Sequence, residues 1–413
     1  MTDVRAAVAD AHRREWALVL AATARVAQDL DLAEECVQEA YAAALTSWER
    51  DGIPRNPGAW LTTTAKRRAL DALRHQQVVR SKLPLLVEPE EVDEMDEPTL
   101  DDPEDVVPDE RLRLVFLCCH PALARDAQMA LTLRLVCGVS TPDIASAFVV
   151  SEPTMAARLT RAKRKISTAR IPFRMPAAAD LPDRLAAVLG VLHLLFTTGH
   201  TAPSGPSLLR TDLMDEALRL ARMLRGLMPD EREVWGLLAL LLVTNARRAT
   251  RVDASGRLLR LEEQDRSLWD RGAMAEADRL IVDALRAGRA GRYVLQAAIA
   301  SLYAEAATYE QTDWAQALQL YDELLRVWPS PVVALNRTIP LARVAGPAVA
   351  LTEVERLESD GLLARYQYLP AIKADLLERL GRTDEAAVAY QQALELSANE
   401  AERDFLATRT RQP

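Results

Sequence analysis

Residues 140–167 constrain the fold more than any other stretch of this chain. Ser140-Thr141-Pro142 carries a helix start, a hydroxyl cap followed by Pro in the first turn. Ile144, Ala145 and Phe148 supply the apolar side of that helix. Val149-Val150-Ser151 turns the chain, and Ser151 is placed to cap a second helix. From there Met155, Leu159, Ala162 and Ile166 recur at helical spacing, which predicts an inward-facing stripe. Arg158, Arg161, Lys163, Arg164 and Lys165 are left for solvent or phosphate. Two helices about a tight turn, the second cationic, predict a helix-turn-helix, the geometry that places side chains in a DNA major groove.

A net charge of −9 over 413 residues looks wrong for such a chain, and its distribution resolves the conflict. Residues 111–174 carry eleven Lys/Arg against Asp126, Asp143 and Glu152. Residues 66–82 carry Lys66, Arg67, Arg68, Arg74, Arg80 and Lys82 against Asp71 alone. Between these blocks, residues 88–110 hold thirteen Asp/Glu and no Lys or Arg. Contact with a polyanion follows the local field and not the total.

The whole chain reads as all-α. Ala, Leu and Arg dominate, Gly is scarce, and 49% of residues are apolar, which favours packed helices. No stretch approaches the length of a membrane span, and Met-Thr-Asp-Val-Arg-Ala offers no apolar signal core. Cys36, Cys118, Cys119 and Cys137 form no disulfide framework. A cytoplasmic protein is the expectation.

Five segments follow from these patterns. Residues 1–82 make a compact helical domain. Trp16, Leu18, Val19, Ala22 and Val26 mark its first helix. Asp31 is expected to cap the second, with Glu34 and Glu35 in the first turn as the helix dipole prefers. Residues 51–57 form a loop, and a third helix runs from about Pro57 to Arg80. Residues 83–110, rich in Pro and acid, form an extended linker. Residues 111–172 form the domain that ends in the helix-turn-helix, and 173–182 form a Pro/Ala joint. Residues 183–413 are expected to form roughly ten helices. Towards their end Trp314, Ala315, Ala317, Leu318 and Tyr321 are echoed at Ala348, Ala350, Leu351 and Val354, an offset of 33, and again after Gly381-Arg382. Small residues, an aromatic one turn on, and a breaking Pro or Gly suit tetratricopeptide-type helical hairpins, degenerate before residue 290.

The run Asp31-Leu32-Ala33-Glu34-Glu35-Cys36-Val37-Gln38-Glu39-Ala40-Tyr41 resembles the core-polymerase-binding helix of extracytoplasmic-function (ECF) sigma factors. Asn56-Pro57-Gly58-Ala59-Trp60-Leu61, with Arg67 and Asp71-Ala72-Leu73-Arg74, resembles their −10 element helix, and the helix-turn-helix resembles their −35 domain. The C-terminal half looks like the subgroup with a fused tetratricopeptide-like extension, through Cys118-Cys119-His120-Pro121, Trp269-Asp270-Arg271 and the Trp314 segment. Arg68 stands where many members have Asn.

The resemblance implies partners and site residues. Core RNA polymerase would dock on Asp31, Glu34, Glu35, Gln38 and Glu39; a solvated helix face is the competing reading. Promoter −10 DNA would meet Asn56, Trp60, Lys66, Arg67, Arg68 and Arg74, where cations track a strand and an aromatic stacks on a base. Trp60 reads equally well as a core residue. The −35 element would meet Ser151, Glu152, Thr154, Met155, Arg158, Arg161, Lys163, Arg164 and Lys165. Arg158 would read guanine, and the later cations would hold phosphate. The acidic linker would mimic transcript phosphate in the polymerase channel, or serve only as a tether.

No catalytic constellation, cofactor motif or metal-ligand spacing is present, and Cys118-Cys119 reads as packed thiols. His193 and His200 read as structural. The expected function is promoter-directed transcription initiation with core polymerase, modulated by the helical array through an intramolecular or protein partner. The alternative is a helix-turn-helix regulator with a tetratricopeptide-like sensor that acts without core polymerase.

Overall fold

The structure, a computed structural model, describes residues 4–82, 110–148, 150–169, 171, 173, 181–203, 205 and 207–410. Among them there is no strand; two isolated bridges, Gly205 with Asn399 and Val252 with Leu258, are the extended pairings. The expected linker at 83–110 and joint at 173–182 lie almost wholly outside the described residues.

Two compact units divide the chain, Met1–Val191 and Leu192–Pro413. In the first unit, helices α1 (Val4–Ala27), α2 (Leu30–Asp51) and α3 (Pro57–Lys82) pack on one another. Their core is Trp16, Leu20, Val37, Tyr41, Trp48 and Leu61, with alanines at the crossings. The expected cap of α2 is corrected. Asp29 takes the extended cap conformation and its carboxylate accepts from the Leu32 N–H at 2.9 Å, whereas Asp31 lies inside the first turn. At the start of α3 the Asn56 side chain accepts from the Ala59 N–H at 3.0 Å, and Pro57 takes the first helical position, where a missing N–H costs nothing.

The second group in this unit is α4 (Glu110–Cys118), α5 (Arg125–Leu135), α6 (Thr141–Ala147) and α7 (Glu152–Thr168). The Gln128 amide donates to the carbonyls of Cys119, His120 and Leu123, which ties down the turn between α4 and α5. Ser140 accepts from the Asp143 N–H at 3.3 Å and opens α6, while Ser151 accepts from the Thr154 N–H at 3.4 Å and opens α7. Met155, Leu159, Ala162 and Ile166 are all buried, as their spacing predicts. Cys118 and Cys119 are buried too, and burial pushes both thiols up, Cys119 to about 12. They act as small packed hydrophobes.

Helix α8 (Leu181–His200) carries the boundary between units. The second unit continues with α9 (Thr211–Leu227), α10 (Arg232–Ala246), α11 (Arg271–Arg286), α12 (Arg292–Glu305), α13 (Trp314–Val327), α14 (Pro331–Val344), α15 (Pro347–Ser359), α16 (Tyr368–Arg379), α17 (Thr383–Leu396) and α18 (Glu400–Thr410). Each packs on its neighbours in sequence, as a helical-hairpin array requires.

The repeat is visible in register. The fourth residue of α13, α15 and α17 is Ala317, Ala350 and Ala386; the eighth is Tyr321, Val354 and Tyr390; the eleventh is Leu324, Leu357 and Ala393, all buried. The same three positions of α9 are Met214, Leu218 and Ala221, also buried. In α11 they are Met274, Asp278 and Ile281, with Asp278 accepting from Ser301 at 2.7 Å. The array therefore starts well before residue 290, with methionine where later repeats have alanine. Between α10 and α12 the approach is so close that a Cβ on Gly236 would stand 2.4 Å from the Val294 nitrogen.

Candidate functional site

The sequence-predicted residues fall on α2, α3 and α7. On α2, Glu35, Gln38 and Glu39 are exposed on one face, as their spacing requires. Asp31 is exposed as well, but Glu34 is buried at 6% exposure. Glu39 pairs with Arg68 of α3, so an acidic α2 residue and a basic α3 residue share one ion pair.

On α3, Arg67 and Arg74 are exposed and Lys66 is half-buried. Arg74 lies 3.4 Å from Asp71 one turn earlier. Trp60 is half-buried and meets the buried Trp48 edge-on, with ring centroids 5.7 Å apart. Its indole therefore contributes to the core while part of its surface stays open. Asn56 is exposed but spends its carbonyl oxygen on the cap of α3.

On α7, Ser151, Glu152, Thr154, Arg161, Arg164 and Lys165 are exposed. Met155 is corrected: at 0% exposure it packs the helix-turn-helix and presents nothing to a groove. It belongs to the same inward stripe that the spacing had already marked. Arg158 is turned back on its own domain. Its guanidinium lies 5.6 Å over the Phe148 ring and 3.5 Å from Asp126. Reading a base would require that side chain to leave both contacts.

Lys163 is the residue for which the sequence carried no signal. It does not face solvent with its neighbours. Its ammonium donates to Asp31 at 2.8 Å and to Glu34 at 2.6 Å. The other Glu34 oxygen accepts from Arg134 of α5 at 2.6 Å. Burial lowers the Lys163 pKa, but the bonds to Asp31 and Glu34 outweigh it and the net shift is upward. The basic recognition helix and the acidic helix α2 are thus joined directly. Spacing within either helix carries no information about residues 129 apart.

Among the described residues no group of His, Cys, Asp or Glu is placed to hold a metal ion, and no helix is long and apolar enough to cross a membrane.

Comparison with known proteins matches the parts in order. Residues 10–78, which hold most of α1 to α3, match the family described as Sigma-70 region 2. Residues 113–166, spanning α4 to α7, match Sigma-70, region 4. Residues 184–285, from α8 through most of α11, match a family of unknown function, DUF6596. An uncharacterized protein of Rhizobium meliloti (strain 1021) is 43% identical over 396 residues, covering 94% of this chain and 91% of its own. The crystal structure of yeast Tom70 is a distant likeness, at 12% identity and a TM-score of 0.37, covering 98% of this chain and 84% of that one. With regions 2 and 4 in order and a long helical extension behind them, the chain belongs to the ECF-type sigma factors of transcription initiation that carry a helical C-terminal extension.

Proposed function

We propose that the chain binds core RNA polymerase through the acidic face of α2 and directs it to promoters through α3 and α7. The observation that carries this is the coexistence of two surfaces on the first unit of the chain. Glu35, Gln38 and Glu39 form an exposed, hydrogen-bonding acidic face on α2. Arg161, Arg164 and Lys165 form an exposed cationic face on a helix-turn-helix. Carboxylates and a carboxamide at helical spacing suit a protein partner that presents cations and donors. Cations on a recognition helix suit phosphate. On α3, Arg67 and Arg74 would track a strand, and the open part of Trp60 would stack on an unpaired base.

The helical array would modulate this activity through a partner of its own or through the sigma domains. The work is that of a cytoplasmic protein, where polymerase and promoter meet.

Run-off transcription with sigma-free core polymerase tests the reading, with DNA upstream of the chain's own gene and of neighbouring genes as template. Specific transcripts are expected, and Gln38→Ala with Glu39→Ala should abolish them. Duplex DNA binding with no core binding would overturn the reading and favour a regulator that acts without polymerase.

A further inference from the structure

Three arginines of the second unit meet where α8, α10 and α12 end. Arg251 donates to the carbonyl of His200, the last residue of α8, and to the Thr201 hydroxyl at 3.4 Å. Arg266 donates to the Tyr303 and Ala306 carbonyls at 2.8 and 2.7 Å and closes the end of α12. Both do the ordinary work of a cation at a helix C-terminus. Arg247 does not. It stands at the C-cap of α10, yet its Nε is buried without a hydrogen-bond partner. The charged and titratable groups that act on it are Arg251, Arg266 and Tyr303, with no carboxylate among them.

Trp269 holds this group in place. Its buried ring lies under two guanidinium groups, Arg266 at 4.7 Å and Arg247 at 5.9 Å from the centroid. Its indole N–H donates to the Thr250 hydroxyl at 2.8 Å, and Thr250 donates to the Arg247 carbonyl at 3.0 Å, which ties the Arg247 segment to the ring. Two further buried nitrogens here have no partner, Arg266 Nη2 and His200 Nε2. His200 lies close enough to Arg251 and Arg247 for both to disfavour its charged form.

The nearby carboxylates do not balance these cations. Glu402 acts on Arg251, but its oxygens already accept from Tyr368 at 2.5 Å and Gln367 at 2.7 Å. Glu310 acts on Arg266 from an exposed position. Burial first, then Arg251 and Arg266, lower the Arg247 pKa to about 10, so the side chain stays charged at neutral pH. Enclosing like charges is costly until an anion joins them. Arg247 is half-buried and so still reachable from solvent, and an arginine fork presents parallel donors that match carboxylate or phosphate.

We infer that Arg247, with Arg266 and His200 beside it, forms a binding site in the helical array for a small oxyanion, the carboxylate or phosphate group of a soluble ligand. The site lies wholly in the second unit and does not depend on the sigma reading.

Titration calorimetry and scanning calorimetry on the full chain test this. The probes are sodium phosphate and sodium succinate, with sodium chloride at matched ionic strength as the reference. At least one probe is expected to bind and to raise the array's thermal transition above that in chloride. Phosphate alone would mark a phosphate ester as the ligand, and succinate alone a carboxylate. Arg247→Met should weaken the binding at least about ten-fold. In chloride it should leave the array's transition unchanged or higher, because it removes an unbalanced charge and keeps an apolar stem. Arg247→Lys keeps the charge without the fork and should also weaken binding, which keeps the test decisive should Arg247→Met misfold by circular dichroism. Arg248→Gln, a neighbour whose charge is already paired with Asp215 at 2.6 Å, should bind as the parent does. No binding of either probe above the chloride reference would overturn the site. So would binding unchanged in both Arg247 variants. A lower transition for Arg247→Met in chloride, with Arg247→Lys binding as the parent does, would make Arg247 a structural brace and overturn the site as well.

Discussion

The helical array and the joint between α2 and the helix-turn-helix are held together by different physics. In the array, the repeated contacts are apolar and run between helices adjacent in sequence, and the same positions of successive helices are buried. Buried apolar area stabilises without direction and in proportion to the area removed from water. In the first unit, the joint between α2 and the helix-turn-helix is ionic and spans 100 to 132 residues of chain. Ion pairs need fixed geometry, and one as enclosed as Lys163 with Glu34 is screened by salt far less than an exposed pair. The array is built to persist. The joint holds only while both faces keep one geometry.

The largest expected effect strikes the array. Leu335 is fully buried in the cluster formed by α14 to α18. Leu335→Ala should cost about 2–5 kcal/mol and lower the array's thermal transition, read by calorimetry. A loss below 1 kcal/mol would mean that the array lacks the packed core described above.

A pH effect of similar size acts on the array. Burial and the neighbouring Arg292 lower the His193 pKa from 6.5 to about 4, so the imidazole is neutral when folded. Between pH 6.5 and 4 the unfolded chain binds the proton and the folded chain does not. Stability therefore falls as pH drops through that window, by up to about 3 kcal/mol, and this group adds no further loss below it. Burial, with Arg251 and Arg247 beside it, lowers His200 well below its usual value and adds to the same slope. His193→Phe should flatten the slope for the array's transition; an unchanged slope would place the titrating groups elsewhere.

Smaller effects belong to the first unit. Ser151→Ala removes the cap of α7 and should cost about 1 kcal/mol, seen as a lower denaturant midpoint. Lys165→Ala should leave stability unchanged within about 0.5 kcal/mol. The same change should reduce the salt slope of duplex binding by about one ion, whatever the DNA sequence. A change confined to one DNA sequence would make Lys165 a base-reading residue.

Much of this was legible in the residues themselves. The stripe Met155, Leu159, Ala162 and Ile166 follows from a period of 3.6 residues, and its burial required no knowledge of neighbours. The caps at Ser140 and Ser151 follow from hydroxyls before helix starts. The start of α2 was misplaced by two residues because Asp29 and Asp31 are chemically equivalent caps, and only the extended backbone at Asp29 chooses between them. Met155 could not serve the core and the DNA face at once, and the helical stripe decided for the core. The early repeats were faint because Met214 and Met274 hold the position that Ala317, Ala350 and Ala386 hold later. The register is the same and the residue type differs, so sequence self-similarity fades where the fold does not.

The sequence by itself determined the helices, the helix-turn-helix, the charge blocks and the order of the parts, because these depend on periodicity, capping and composition within a few turns of chain. Only the tertiary structure decided that Glu34 is buried, that Arg158 is turned onto Phe148 and Asp126, and that Lys163 is held by Asp31 and Glu34. An ion pair depends on a distance of about 3 Å between residues more than a hundred apart in sequence. No local pattern encodes that distance; it is fixed when two folded faces meet.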